Sequence, residues 1–270
     1  QRCRTSYFDF YFMHSMNDEH WKMAKDLGLV EFMKQKKKEG SAKAIGFSFH
    51  GNLPLLEEMV EAAEWDFVQL QLNYLDWDKQ NAKGFYEVLE KKGIPCFVME
   101  PVRGGYLATL TPSTQEVFQK AAPERSMVSW AYQWLLSKPN VKVVLTGSSS
   151  LEQFVENVSL FNTLPPLSEK ESAVIDDAIR ELNAIPTVPC TGCRYCMDCP
   201  AGVDIPAVFA AYNYRASHHT TAQVRKKYEE IPAGARADAC VNCRACCDKC
   251  PQSIEIPAEL ARIKEEIYAE

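Results

Sequence analysis

Two cysteine runs near the end of the chain constrain its fold more than any other feature: Cys190-x2-Cys193-x2-Cys196-x2-Cys199-Pro200 and Cys240-x2-Cys243-x2-Cys246-x3-Cys250-Pro251. The runs are an internal repeat. Cys199-Pro-Ala-Gly-Val-Asp-Ile-Pro-Ala and Cys250-Pro-Gln-Ser-Ile-Glu-Ile-Pro-Ala share a CP-x2-[VI]-[DE]-IPA frame over nine positions, which points to two copies of one structural unit. A segment with so many thiols at fixed short intervals folds around whatever they bind.

Three chemistries compete for such thiols. Tetrahedral zinc uses two CxxC pairs, which leaves the third cysteine of each run and the Cys-Pro pairs without a role. Disulfides staple small secreted domains that have little core, whereas this chain has 270 residues, 46% of them apolar, enough for a large core. The second run has the spacing of a bacterial ferredoxin, in which three closely spaced thiolates hold a [4Fe–4S] cube and the cysteine before proline reaches the companion cluster. By that pattern Cys190, Cys193, Cys196 and Cys250 bind one cluster, Cys240, Cys243, Cys246 and Cys199 bind the other, and Cys247 is spare. In the first run only two residues separate Cys196 from Cys199, so spacing alone leaves the crossing of ligands open.

Charged residues make up 24% of the chain and the net charge is −6, a balance that argues against a nucleic-acid partner. The one basic run, Lys34 to Lys38, ends a predicted helix, where cations suit the dipole. No apolar stretch approaches the roughly 20 residues of a membrane span, so no membrane partner is expected. Reduced thiols and oxygen-sensitive clusters point to the cytoplasm.

Ahead of the cysteines, strand-length β-rich runs alternate with amphipathic stretches, the signature of βα units and a parallel sheet. Strands are predicted at Phe8–His14, Ala44–Phe49, Phe67–Tyr74, Pro95–Glu100 and Val141–Leu145. Helices are predicted between them at Glu19–Glu39, Pro54–Glu64, Lys79–Lys92 and Ser126–Ser137, then at Leu151–Asn162, with a bridging helix around Glu169–Asn183. In parallel α/β folds the chemistry collects where strands end. The strand ends here are polar: His14-Ser15, Ser48-Phe49-His50, Gln71-Leu72-Asn73-Tyr74, Glu100 to Gly105, and Thr146 to Ser150.

The last of these runs leads into a helix, so its amides and hydroxyls suit a phosphate. With Arg103-Gly104-Gly105 after the preceding strand, it matches the phosphate site that barrels build after strands seven and eight. Each signal also has a plainer reading. His14 serves equally as a structural histidine, Gly147-Ser148-Ser149 as a capping turn, Glu100 as a satisfied carboxylate and His50 as a loop residue. The pair His218-His219 sits in a polar stretch and is expected to be solvent exposed; Cys96 reads as a small buried hydrophobe.

The order Asp9-Phe-Tyr-Phe-Met-His14, Ala44-Ile-Gly-Phe-Ser48, Gln71-Leu-Asn-Tyr74, Pro101-Val-Arg-Gly-Gly105 and Gly147-Ser-Ser-Ser-Leu-Glu-Gln153-Phe-Val-Glu156-Asn157 resembles the second half of an aldo/keto reductase, in the branch with a C-terminal ferredoxin-like domain. The resemblance implies an α/β chain. Residues 1–165 would form strands four to eight of a (β/α)8 TIM barrel, 166–188 a bridging helix and linker, and 189–270 a mostly α ferredoxin-like domain with two [4Fe–4S] clusters. It implies that His14 hydrogen-bonds a substrate carbonyl. Ser48, Gln71 and Pro101 would line the nicotinamide, and Gly147, Ser148, Ser149, Gln153, Glu156 and Asn157 the adenosine phosphate end of NADP or NAD. Phe49 stands where the family often has Asn, and Met99 near where many members stack an aromatic ring.

The family's tyrosine proton donor and its Asp and Lys partners belong to the first three βα units, so the chain is expected to be an N-terminally truncated piece. The implied function is NAD(P)H-dependent redox chemistry on a small carbonyl or alcohol, with the clusters transferring electrons to or from a redox partner protein. The alternative is a non-catalytic nucleotide or redox sensor, or a plain electron-transfer protein.

Overall fold

The computed structural model describes residues 3–184, 186–217 and 221–268; His218 and His219 lie outside the described residues. The chain forms two units, one of Gln1–Pro101 with Ala131–Leu167, the other of Val102–Trp130 with Ser168–Glu270.

The first unit is built on β1 (Phe8–Met16), β2 (Ala42–Phe49), β3 (Phe67–Gln71), β4 (Cys96–Met99) and β5 (Val141–Val144). These pair in parallel and in chain order, which leaves β1 and β5 as the edges. Between β1 and β2 run α1 (Asp18–Asp26) and α2 (Leu29–Lys38); α3 (Leu53–Ala62) leads to β3, and α4 (Asp76–Lys79) and α5 (Ala82–Lys92) lead to β4. α6 (Pro112–Ala121) and α7 (Met127–Leu136) separate β4 from β5, and α8 (Leu151–Thr163) follows the last strand.

Two of the predicted helices are each split in two. Glu19–Glu39 breaks at Gly28, whose φ of 66° closes α1 in the left-handed conformation that glycine adopts without strain. Lys79–Lys92 breaks at Asn81, φ 52°, another residue type that tolerates that region. β2 runs through the core, with Ile45, Gly46, Phe47, Ser48 and Phe49 all buried, as befits a strand in a parallel sheet covered on both faces. Gly46 pairs with Phe67, and a Cβ there would meet the Phe67 carbonyl oxygen at 2.3 Å. Glycine is therefore what lets β2 lie against β3 and carry Ser48 to the sheet's end.

One face of the sheet is aromatic. Phe67 and Phe97 stack at 4.3 Å, and Phe10 meets them edge-on at 5.5 and 5.2 Å while remaining 54% exposed. α8 likewise buries no residue among its 13, and its Leu151, Phe154, Val155 and Val158 face outward.

The second unit holds α6, α9 (Glu169–Ala184), α10 (Ile205–Asn213), α11 (Thr221–Glu229) and α12 (Ile256–Glu266). α6 lies outside every predicted helix. Thr111 caps it, its Oγ1 accepting from the Thr114 amide, with Pro112 in the first turn, a preferred helix start. Arg125, after α6, pairs with Glu171 of α9 at 2.7 Å and lies 3.7 Å over the Trp130 ring. The cysteine repeat builds the remaining core. Val203 and Ile205 from one copy, Ile254 and Ile256 from the other, are buried together with Phe209, Tyr212, Leu260 and Ile263.

Candidate functional site

In the first unit the polar strand ends form a compact network. β1 carries a bulge: Met13 pairs with Phe47 and Met16 with Phe49, so three steps on β1 match two on β2. The extra residue is accommodated by Ser15 at φ 58°. Bulges re-aim side chains at such places, and this one leaves His14 exposed with its Nδ1 3.4 Å from the Ser48 Oγ. Ser48 is fully buried and its Oγ accepts the Ser15 amide at 2.7 Å. A second imidazole, His20, places Nδ1 2.6 Å from the Ser15 carbonyl, and the His50 amide donates to Met16 at 2.8 Å. The sequence pairs His14 with Ser48 only by analogy; the bulge that joins them has no composition signal.

Burial, and then the charge of His14, pushes the pKa of His50 down from 6.5 to about 4. The unfolded histidine binds its proton below about pH 6.5, while the folded one refuses it until about pH 4. Stability is therefore unaffected above that window and falls as pH drops through it, by up to about 3 kcal/mol. His50→Gln is expected to lose less stability than the native protein between pH 7 and pH 4.5 in urea unfolding. Equal losses would remove His50 as the cause.

Gln71 at the end of β3 turns into a buried amide–carboxylate group. Its Nε2 donates to Asp76 Oδ2 at 2.9 Å and to Gln80 at 3.0 Å. Asn73 Nδ2 donates to the same Asp76 oxygen at 2.8 Å and to the Glu100 carbonyl at 3.0 Å. Asn73 Oδ1 accepts the Leu75 and Asp76 amides, an Asx turn that fixes the end of β3. Asp76 is fully buried and was not singled out in the sequence, where it reads as one more helix-start carboxylate.

The Gly147–Asn157 loop is braced from inside. Ser150 caps α8, accepting the Gln153 amide at 3.3 Å; Gln153 Oε1 accepts the Ser149 amide at 2.8 Å; Asn157 Nδ2 donates to Ser148 Oγ at 2.9 Å. Gly147, Ser149, Gln153 and Glu156 are exposed. A Cβ on Gly147 would meet nothing within 4 Å, so the approach to the helix start is open.

In the second unit the two cysteine loops repeat in conformation. Gly192 and Arg194 lie at φ 73° and 64°, their counterparts Asn242 and Arg244 at 55° and 63°; three residues after each Cys-Pro cysteine, Gly202 and Ser253 lie at 78° and 50°. Alternating left-handed residues turn successive amides inward and form an anion-binding nest, as in many iron–sulfur sites. The Gly192 amide donates to Cys190 Sγ at 3.4 Å. Asn213 holds the approach to the first loop, donating to the Val188 carbonyl and accepting its amide, both at 2.7 Å. The repeat also includes an ion pair that the cysteine frame does not reveal: Arg194 meets Asp204 at 3.5 Å and Arg244 meets Glu255 at 2.7 Å.

Cys190, Cys193, Cys196 and Cys250 line one cavity, the set expected from the ferredoxin pattern, with the fourth thiol drawn from the other run. Among the described residues no three His, Cys, Asp or Glu side chains close to metal-ligating distance. Burial, followed by the neighbouring thiols Cys190, Cys250 and Cys193, pushes the Cys196 thiol up to about 11; burial, offset in part by the Ile254 and Gln252 amides, raises Cys250. Gathering four thiolates in one cavity is unfavourable unless a cationic centre accompanies them. The donor set and the nest both fit an iron–sulfur cluster. Cys240 lines a separate cavity with Asn242, Arg244 and Lys264. Among the described residues no two cysteines are joined by a disulfide.

The aldo/keto reductase family model matches residues 1–180. The chain belongs to the aldo/keto reductase family. A 4Fe–4S dicluster domain matches residues 189–255, so this family member carries an iron–sulfur domain at its C-terminal side. The L-glyceraldehyde 3-phosphate reductase of Escherichia coli strain K12 is 26% identical over 217 residues, 67% of this chain and 61% of that protein. An uncharacterized oxidoreductase, YqkF of Bacillus subtilis, is 25% identical over 183 residues, 60% of this chain and 57% of the other. The chain thus spans about three fifths of the length of the curated relatives it matches.

Solved structures show the same fold. The holo aldo-keto reductase AKR11C1 from Bacillus halodurans matches with a TM-score of 0.55 at 21% identity, over 66% of this chain and 60% of that one. An aldo/keto reductase from Klebsiella pneumoniae in complex with NADP and acetate matches with a TM-score of 0.51 at 19% identity, over 65% of this chain and 60% of that one. The reductase fold and the iron–sulfur domain are thus both present, and among the described residues no helix is long and apolar enough to cross a membrane.

Proposed function

We propose that the protein is an NAD(P)H-dependent carbonyl oxidoreductase whose C-terminal unit holds two [4Fe–4S] clusters. The observation that carries this reading is His14, exposed by the β1 bulge and set 3.4 Å from Ser48 at the end of a parallel sheet in an aldo/keto reductase. The chain-order sheet with edges at β1 and β5 and the half-exposed Phe10 support reading the five strands as strands four to eight of an eight-stranded barrel.

Bound nicotinamide supplies a hydride, and bound clusters supply single electrons. The protein's own groups place and polarise the substrate. His14 donates a hydrogen bond to the oxygen of a small carbonyl compound and draws electron density from the carbon. Ser48 fixes the His14 ring, and Ser48, Gln71 and Pro101 line the nicotinamide. The Gly147 and Ser148 amides and the Ser148 and Ser149 hydroxyls at the start of α8, with Gln153, Glu156 and Asn157 above them, would hold the phosphate and adenosine end of NADP or NAD. Cys190, Cys193, Cys196 and Cys250 hold one cluster, and Cys240, Cys243, Cys246 and Cys199 the other. Clusters held there would supply single electrons for exchange with a redox partner protein, and thiolate-held, oxygen-sensitive clusters suit the cytoplasm.

The test is a fluorescence titration of the intact protein with NADPH and with NADH. Ser149→Ala or Gln153→Ala is expected to weaken binding by about 1 kcal/mol or more, the value of a hydrogen bond to a charged group. A protein that binds neither cofactor would end the reading.

A further inference from the structure

The direction in which His14 points is set by the residue after it. Ser15 lies at φ 58°, in the left-handed region that a residue with a Cβ occupies where its surroundings over-determine it. Two side chains supply that constraint. The Ser15 amide donates to Ser48 Oγ at 2.7 Å, and the Ser15 carbonyl oxygen lies 2.6 Å from Nδ1 of His20. The first bond holds the peptide unit before the Ser15 Cα and the second holds the unit after it, so together they fix both backbone dihedrals of the bulged residue.

His20 reaches back across the start of its own helix. It is the third residue of α1, its amide donates to the Asn17 cap at 2.8 Å, and its ring returns to the carbonyl two residues before that cap. The imidazole is therefore tied to the helix on one side and to the bulge on the other. Because a carbonyl oxygen can only accept, Nδ1 carries the proton in this contact, in the neutral Nδ1–H ring and in the imidazolium alike. The anchor thus survives a change in the charge of His20. His14 stands beyond it, exposed, with its own Nδ1 3.4 Å from Ser48 Oγ.

We propose that His20 is a positioning residue of the carbonyl reaction: its Nδ1–H holds the Ser15 carbonyl and so keeps the β1 bulge that presents His14 to the substrate oxygen. The inference rests on the role of His14 in the proposed function. Ser48 holds the amide side of Ser15 and His20 the carbonyl side. Without the His20 bond the peptide unit after Ser15 can rotate, the residue can relax out of the left-handed region, and the imidazole on the preceding residue turns with it. His20 touches neither substrate nor cofactor in this scheme and acts through His14 alone.

The experiment compares steady-state turnover of the intact protein, with NADPH and a small aldehyde, in His20→Ala, His20→Leu and His20→Asn, and in His20→Ala combined with His14→Ala. Leu restores bulk without a donor, and Asn places an amide N–H close to where Nδ1–H stands. His20→Ala and His20→Leu are expected to lower kcat by about tenfold or more, since a small misplacement of a reacting group costs that much, with the Kd for NADPH within about twofold of native. His20→Asn should keep kcat within about threefold. On the His14→Ala background His20→Ala should lower kcat by less than about twofold further, because the imidazole it positions is gone. A kcat within threefold of native in His20→Ala, a loss in Asn as large as that in Leu, or a further tenfold loss on top of His14→Ala overturns the proposal. Should His20→Ala fail to fold, Leu and Asn give the same comparison: a kcat lowered in Leu alone supports the role, and equal values overturn it. Native turnover in His14→Ala, or a native protein that binds neither nicotinamide cofactor, would instead defeat the proposed function, and the role of His20 would fall with it.

Discussion

Cys250→Ser and Cys193→Ser are expected to remove the same cluster, although the two cysteines stand in different runs. Cys250 shares a cavity with Cys190, Cys193 and Cys196. Anaerobically purified native protein should contain about eight irons and eight labile sulfides per chain, and each of the two variants about four. Both variants should also unfold at lower temperature than the native protein, because ligand binding in such a unit is folding free energy. Cys190, Cys196 and Cys250 lie in or against a core that includes Val203, Phe209 and Ile254, so an emptied site loosens the helices that follow both Cys-Pro pairs. Cys247→Ser should leave iron and sulfide unchanged. Iron and sulfide assays with resonance spectra decide it: if Cys250→Ser removes the cluster that survives in Cys193→Ser, the ligands do not cross between the runs.

The fold was legible where one local signal dominated. Apolar runs such as Phe67 to Leu72 are too short for buried helices and too apolar for loops, and the five strands fall where those runs do. Helix breaks were less legible, because the amphipathic pattern continues through Leu27-Gly28-Leu29 and only the left-handed backbone at Gly28 interrupts it. α6 was missed for a tertiary reason: its Thr111–Pro112 start is a common dipeptide, and what stabilises the helix is packing on α9, far along the chain. Spacing grouped Cys190, Cys193 and Cys196 but left open which fourth thiol joins them; that Cys250 shares their cavity is set by the fold. Arg194 and Arg244 could also have been found as equivalent residues of the repeat, each directly after its run's second cysteine. The contact of Arg103 with Pro189 could not, because the two lie 86 residues apart and no periodicity links them.

His14→Ala is expected to lower carbonyl turnover of the intact protein by about 10²–10⁴-fold, the usual contribution of a positioned acid–base or hydrogen-bonding group, while cofactor affinity stays within about twofold. The separation follows from position. His14 stands on β1, whereas the bracing of Ser148, Ser149 and Gln153 comes from the start of α8 and involves no atom of β1. Ser48→Ala should act on the same step by another route. It removes the acceptor of the Ser15 amide at a buried position, costing about 1–3 kcal/mol, and frees the bulge that aims the imidazole. Its effect should therefore appear in both stability and turnover, whereas that of His14→Ala, an exposed residue, appears in turnover alone. His50, neutral down to about pH 4, adds no charge beside His14 at neutral pH, so His50→Gln should keep native turnover there. Steady-state rates with NADPH and a small aldehyde, set beside cofactor titrations, separate these cases. Should His14→Ala keep turnover within threefold of native, the imidazole on the β1 bulge is a structural group and the reacting oxygen lies elsewhere.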